Sequence, residues 1–419
     1  MPTTFARDRL EVTKVRIDGA QRACTPEQTL ARMRPHFRAA GITRLAEITG
    51  LDRIGICVAQ CIRPDAIVLA VDSGKGATPA AARCSAMMEG FERHVGETAP
   101  VRSIMASAAQ LGDAAETRLP LLSGAVVDPH IPQPWVEVYG LRSGKPRYVP
   151  ACAISLQARH PAGLPLAATP WASTSNGLSS GNTYAEAVAG GLYECIERDA
   201  TAIAQGKNVV AYSGSATLSD GIGRTYEGAC AASPRVDLDT VTDRTVARLV
   251  RAIRDADVTP ILLDVTSDIG IPTYICYLID CENGNGINKG YAAHLDPAVA
   301  QARALTETIQ ARAVWIAGSR DDFLHERFEK VKAADNSAML AQLYRHPITS
   351  ANAHADRSCD TFEADIDTLC AALDAAGIPE PLVYEFAHDY PCSVVRVIVP
   401  TLEGYKFDYS QRGPRASLA

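Results

Sequence analysis

The sequence predicts an α/β protein of the α+β kind, with large, partly antiparallel sheets. Helical and strand-like segments alternate along most of the chain. A length of 419 residues, 47% of them hydrophobic and 21% charged, supplies apolar material for one large core. No Pro/Ser-rich linker marks a clean boundary. Residues 1–45 are expected to form an N-terminal helical region joined closely to a main unit over 46–419.

The elements follow in order. TPEQTLARMRPHFRAAG (25–41) opens with a Thr cap and carries apolar residues at helical spacing, which predicts an amphipathic helix. IGICVAQCI and AIVLAV predict two strands around a turn at Arg63–Pro64–Asp65. GATPAAARCSAMMEGFERH (76–94) predicts a helix with Thr78 as N-cap and Pro79 in its first position. Residues 120–170 are rich in Pro and Gly and predict strands and loops. SSGNTYAEAVAGGLYECIERDA (179–200) predicts a second helix, followed by a less patterned loop to about residue 235. Beyond it, TVTDRTVARLVRAIRDA, DPAVAQARALTETIQARAVWIAG and FEADIDTLCAALDAAG are helical, while PILLDVT, PTYICYLID, EPLVYEF and CSVVRVIVP are strand-like.

Several function classes fall away. A net charge of −7, with no basic run, argues against nucleic acid as a partner. The N-terminus MPTTFARDRLEVTK lacks an apolar signal core, and no apolar run is long enough to span a bilayer, so a cytoplasmic protein without a membrane partner is expected. Twelve cysteines are present but no CxxC pair, and most sit among apolar neighbours, which predicts buried thiols rather than a zinc site or disulfides.

One pattern repeats. With Gly76 set against Gly181, Thr78 falls on Thr183, Ala82 on Ala187, Glu89 on Glu194, Glu92 on Glu197 and Arg93 on Arg198. HLDPAVAQARALTETIQAR is a weaker third copy, in which Glu307 matches Glu89 and Gln310 replaces Glu92. At about 100° per residue, Glu186, Gly190, Glu194 and Glu197 share one face, with Val188, Leu192, Cys195 and Ile196 opposite. In the first copy Ala82, Ser85, Ala86, Glu89, Glu92 and Arg93 share a face, with Met87, Met88, Phe91 and Val95 opposite.

A solvated helix face usually mixes Lys with Glu; here small residues stand beside acids, and Gly190 and Gly191 lie mid-helix at a cost of about 1 kcal/mol each relative to Ala. The small residues are expected to leave room for a ligand. Gathered carboxylates repel unless a cation holds them, and Mg²⁺ wants oxygen ligands. Adjacent arginines suit phosphate oxygens. Together they predict a Mg-nucleotide site. DSGKG (72–76) and SNGLSSGNT (175–183) are expected to be glycine-rich loops cradling anions at helix N-termini, with Lys75 reaching a phosphate. NGNGINKG (283–290) reads as a hairpin turn.

The three stretches SGKGATPAAARCSAMMEGFERH, SNGLSSGNTYAEAVAGGLYECIERDA and HLDPAVAQARALTETIQAR resemble the signature helices of the YcaO family. GITRLAEITGLDRIGICV and VIVPTLEGY…RGPRA most resemble YcaO proteins that work with a TfuA-like partner. The resemblance implies that 46–419 is an ATP-binding catalytic domain with repeated E-x-x-E-R helices around the nucleotide. It implies ATP- and Mg²⁺-dependent phosphorylation of a peptide amide oxygen, then attack on the carbon by a nucleophile. Sulfide gives a thioamide; a neighbouring Cys, Ser or Thr side chain gives an azoline ring. Glu89, Glu92, Glu194 and Glu197 are the implied metal ligands. Lys75, Asn182, Glu186, Arg198, Arg303, Glu307 and Gln310 are the implied nucleotide-binding set, and Glu194, Glu197 and Arg198 are implied in catalysis. The two E-x-x-E-R helices are expected near each other, related by a pseudo-twofold axis. His94 and His294, beside motif helices, are expected to be structural.

One departure bears on the product. The chain ends QRGPRASLA, with one proline, where azoline-forming relatives often carry a Pro-x-Pro-x-Pro tail. With only about 45 residues ahead of the match, a fused leader-peptide module is not expected either. Both favour a separate partner delivering substrate or sulfur, and thioamide formation over ring closure. A TfuA-like protein, a peptide or protein substrate and a sulfide donor are the expected partners, with a homodimer implied by the family. Four readings stay open beside it: azoline cyclodehydration, another ATP-using activity such as amidine formation, a non-catalytic nucleotide-binding subunit, and a structural protein whose surface helices merely carry acids.

Overall fold

The structure, a computed structural model, describes residues 12–157, 169–209, 233–280, 286–320, 340–341, 343–404 and 411–417. Its strands are β1 (Val15–Ile17), β2 (Ala20–Arg22), β3 (Arg44–Glu47), β4 (Val58–Ile62), β5 (Val71–Lys75), β6 (Ile104–Ala106), β7 (Gln133–Gly140), β8 (Pro146–Pro150) and β9 (Leu178–Gly181). The series continues with β10 (Arg235–Asp237), β11 (Thr259–Asp264), β12 (Thr273–Ile279), β13 (Ile287–Ala293), β14 (Ile348–Ser350), β15 (Leu382–Glu385) and β16 (Ser393–Ile398). The helices are α1 (Pro26–Met33), α2 (Pro79–Thr98), α3 (Ala108–Leu111), α4 (Tyr184–Val209), α5 (Arg244–Asp255), α6 (Pro297–Ala317), α7 (Phe362–Ala375) and α8 (Pro414–Ser417).

Among the described residues four sheets form: the β1–β2 hairpin, β3-β4-β5, β13-β12-β11-β10-β14, and β6-β7-β15-β16-β9 with β8 added on β7. Every pairing is antiparallel except β10 with β14. The mixed class and the partly antiparallel sheets are as the sequence predicts.

The three repeated segments are strand–helix units. Each helix follows the edge strand of a different sheet: β5 leads into α2, β9 into α4, and β13 into α6. Their N-termini are capped by side chains that accept backbone N–H groups: Thr78 from Ala81, Thr183 from Glu186, and Asp296 from Ala298 and Val299. The units close on one another in a ring, α2 packing on β9, α4 on β13, and α6 on β5. The arrangement is therefore a ring of three units, in which α2 and α4 are neighbours through β9.

The glycines of the expected phosphate loops have another role. Residues 72–75 and 178–181 are strand, not loop. A Cβ on Gly74 would meet the Ala86 backbone nitrogen at 2.0 Å, and one on Gly181 would meet that of Ala187 at 2.5 Å. These positions let a helix lie directly against the strand before it. Ala82 and Ala86 are correspondingly buried in the core with Met87 and Phe91. Mid-helix, Gly190 faces the Ser179 hydroxyl at 2.5 Å from a hypothetical Cβ, and Gly191 faces Val397 at 2.7 Å. The small residues make room for strands, and Ser85 and Gly190 also line the cleft described below.

The second of the two strands predicted around Arg63–Pro64–Asp65 also shifts. AIVLAV was expected as strand, but pairing begins at Val71, and Ile67 and Val68 are exposed. Their backbone N–H groups donate to Glu97, which accepts two further hydrogen bonds from Arg63. The second helix likewise runs past its expected end, to Val209, and the loop expected beyond it lies largely outside the described residues, as do residues 283–285 of the predicted hairpin turn. All ten described cysteines are free, five of them buried. Among the described residues no helix is long and apolar enough to cross a membrane.

Candidate functional site

The ring of three units encloses a cleft of about 550 Å³. All eleven residues singled out in the sequence line it: Lys75, Glu89 and Glu92 from the first unit, Asn182, Glu186, Glu194, Glu197 and Arg198 from the second, Arg303, Glu307 and Gln310 from the third. Helical periodicity explains the convergence, since Glu89 and Glu92, and Glu194 and Glu197, each stand three residues apart on one face.

Lys75, at the end of β5, donates to Glu307 on α6 at 2.7 Å. Arg198 lies 3.8 Å from Glu194 and 3.6 Å from Glu197, ion pairs too long for hydrogen bonds. Arg93 pairs with Glu89 at 3.0 Å and with Asp72 at 2.8 Å. Asn182 is a junction: its backbone N–H and Nδ2 donate to Glu186, and its Oδ1 accepts from Thr29 at 2.8 Å and from Arg32. Arg22 stands 3.8 Å from Glu186.

The acids carry strain that a cation would relieve. Burial pushes the Glu92 carboxyl well above the usual range, and Glu89 and Glu194 push it further. Burial also raises Glu194, with Arg198 opposing. Glu197 is pushed up to about 7 by burial against the opposing charge of Arg198. Glu307 feels the same burial, but Lys75 and Arg198 outweigh it and hold the carboxyl below its ordinary value. Burial and the neighbouring Arg22 lower Arg303.

These residues fit a magnesium–nucleotide pair. Glu197 Oε1 and Gln310 Oε1 are buried acceptors without a hydrogen-bond partner, each a cost of about 1–3 kcal/mol until something satisfies it. The wall offers carboxylate oxygens for a hard cation, and guanidinium and ammonium groups for phosphate. Among the described residues no three His, Cys, Asp or Glu side chains are grouped to hold a metal alone. Mg²⁺ usually takes one or two carboxylates and completes its shell with phosphate oxygens and water, so spaced acids suit an ion shared with a triphosphate.

Sequence reasoning missed Arg22, Thr29 and Arg32, which reach the cleft or its Asn182 from β2 and α1. Only the capped helix was visible there; nothing in the sequence signals which of its side chains turn inward. Lys289, from β13, also lines the cleft. Met88, placed opposite the acids on the helical wheel, lines it too. His294 stacks on Tyr193 at 4.5 Å and accepts the Asp296 N–H, and His94 Nε2 lies 3.0 Å from the Tyr390 hydroxyl.

Residues 73–403 match the family model described as YcaO cyclodehydratase, ATP- and Mg²⁺-binding. The chain belongs to the YcaO family, a family of ATP-dependent peptide-modifying proteins, and its cofactors are ATP and Mg²⁺. A relative from Rhizobium leguminosarum bv. trifolii, an uncharacterised protein in the tfuA 3′ region, is 33% identical over 417 residues, covering 95% of this chain and 93% of its own. An uncharacterised protein of Methanothermobacter thermautotrophicus is 30% identical over 405 residues, covering 94% and 98%. The fold is that of YcaO from Methanopyrus kandleri, solved with AMPPCP and Mg²⁺ (TM-score 0.67, 22% identity, 95% of this chain and 96% of that one). A heterocyclase solved with substrate and cofactor has TM-score 0.74 and 22% identity over 91% of this chain, which spans 53% of the heterocyclase's length.

Proposed function

We propose that this protein is an ATP-dependent thioamide synthetase acting on the backbone of a ribosomal peptide or protein, in the cytoplasm and with a TfuA-like partner. The carrying observation is the cleft itself, where acids and cations from three units meet around two orphaned buried oxygens. The tfuA-linked relative, at 33% identity over nearly the full length, favours sulfide as the nucleophile.

Glu89, Glu92, Glu194 and Glu197 hold Mg²⁺, and Lys75, Arg198 and Arg303 face the phosphates, while Asn182, Glu186, Glu307 and Gln310 orient the nucleotide. Bound ATP supplies the phosphoryl group that turns the amide oxygen into a leaving group, and Mg²⁺ neutralises charge on the phosphates. The chain's own residues position and screen; phosphoryl transfer asks for little else. The amide oxygen takes the phosphoryl group, sulfide adds to the carbon, and the oxygen departs as phosphate. Amide, hydrosulfide and ATP enter; thioamide, ADP and inorganic phosphate leave.

Ring closure is the second reading, favoured by the family description as cyclodehydratase. It consumes the same ATP but loses water. Incubating the protein with ATP, Mg²⁺, sodium sulfide, a TfuA-like protein and a peptide extract, followed by mass spectrometry, separates them. Sulfur replacing oxygen supports the proposal; loss of water with no sulfur uptake supports ring closure. Absence of any ATP-dependent mass change contradicts both.

A further inference from the structure

The ion pairs of Arg198 with its acids are long, at 3.8 and 3.6 Å. Its guanidinium carbon lies over the Tyr291 ring, 5.6 Å from the centroid. A cation within about 6 Å of an aromatic face is attracted to it, most strongly where water is limited. Tyr291 belongs to β13 and Arg198 to α4, so the contact joins the second unit of the ring to the third. Lys289, two residues earlier on the same face of β13, places its ammonium 5.7 Å from the same centroid and lines the cleft.

The geometry points to Tyr291 as a positioning residue of the nucleotide site, its ring keeping Arg198 in place when Glu194 and Glu197 turn to a metal ion. The inference rests on the proposed Mg-ATP reading of the cleft. Among the described residues Glu194 and Glu197 are the carboxylates that form ion pairs with Arg198, at 3.8 and 3.6 Å. Carboxylates that ligate a metal have less charge to offer a neighbouring guanidinium. An aromatic face keeps its attraction under the same conditions, because a quadrupole is not consumed by a metal. It also has no preferred hydrogen-bond direction, which leaves the donors of Arg198 free to point at phosphate oxygens. Lys289 over the same ring sets a second positive charge beside the first.

Three variants decide the matter by calorimetric titration of Mg-ATP: Tyr291→Leu, Tyr291→Phe, and Tyr291→Leu combined with Arg198→Met. Tyr291→Leu is expected to weaken binding about three- to tenfold with an unchanged melting temperature, and Tyr291→Phe to restore it. Added to Arg198→Met, Tyr291→Leu should cost nothing further. Full affinity in Tyr291→Leu, or an equal loss with and without Arg198, overturns the inference. A Phe variant as weak as Leu does so too, since the hydroxyl would then matter and not the ring. A readout free of nucleotide stands beside these. In protein labelled with ¹⁵N-arginine, the Arg198 side-chain signal should carry a ring-current shift that Phe keeps and Leu abolishes. Wild-type protein that shows this shift but binds no Mg-ATP refutes the functional reading; wild-type protein that binds Mg-ATP without the shift refutes the role of Tyr291.

Discussion

Lys75 and Glu307 meet at 2.7 Å, linking the last residue of β5 to the middle of α6 and so closing the ring of three units beside the cleft. Both side chains are partly open to solvent, so the pair itself contributes at most about 1 kcal/mol to stability. Lys75→Met should therefore barely move the melting temperature. Mg-ATP affinity, in contrast, should fall about tenfold, the loss of one charge-assisted phosphate contact. Scanning and titration calorimetry on one preparation check the two together. A large drop in melting with unchanged affinity would make Lys75 a structural strut only.

Arg63 is buried between Asp72, at 3.0 Å, and Glu97, at 3.0 and 3.3 Å. Even with it in place, burial and the nearby Glu89 push Asp72 up to about 7. Arg63→Met leaves Asp72 with Arg93 and Glu97 with the Ile67 and Val68 N–H groups but no cation, and urea unfolding should show a loss of about 3–5 kcal/mol. A loss under about 1 kcal/mol would mean that the acids simply protonate.

Gly190 is a helix-interior glycine whose replacement by Ala would ordinarily stabilise by up to about 1 kcal/mol. Here the new methyl meets the Ser179 hydroxyl, and Gly190→Ala should destabilise by about 1–3 kcal/mol. Combining it with Ser179→Gly should recover most of that loss. Urea unfolding of the pair against each single variant is the check; additive losses would place the clash elsewhere.

The sequence revealed the long helices and the strands β12, β15 and β16 because apolar periodicity survives in each. It concealed β5, whose residues Asp72, Ser73 and Lys75 look like loop and whose Asp72 is buried only because Arg63 and Arg93 reach it from β4's end and α2. Its glycines read as a phosphate loop because close helix–strand packing and anion binding demand the same missing side chain. In the site, the acids and Arg198 were legible from a repeated motif. Arg22, Thr29 and Arg32 were not, because what brings them in is the packing of β2 on α6 and of α1 on α2, and packing leaves no local mark. The third copy was visible despite the loss of one acid; which strand each helix packs against was hidden for the same reason.

His354 and Asp264 form a pair at 2.6 Å between the segment after β14 and the end of β11. The hydrogen bond to Asp264 raises His354 above its ordinary value, against burial. A raised histidine stabilises the fold fully below its unfolded value of about 6.5, and that contribution fades as pH rises through the folded value. The melting temperature of wild type relative to His354→Gln should thus be highest on the acid side of 6.5 and shrink as pH rises. A difference that is constant, or that grows with pH, would show that the pair carries no charge.

The central claim is that the acid face of α4 turns inward to metal and triphosphate. Its most direct test is calorimetric titration of ATP, with and without Mg²⁺, into wild type and Glu197→Gln. The side chain keeps its shape and loses its charge at a buried site, so the variant should melt no lower than wild type. The account predicts binding that needs Mg²⁺ in wild type and is lost in Glu197→Gln. Equal binding by the two proteins, or binding indifferent to Mg²⁺, would contradict it.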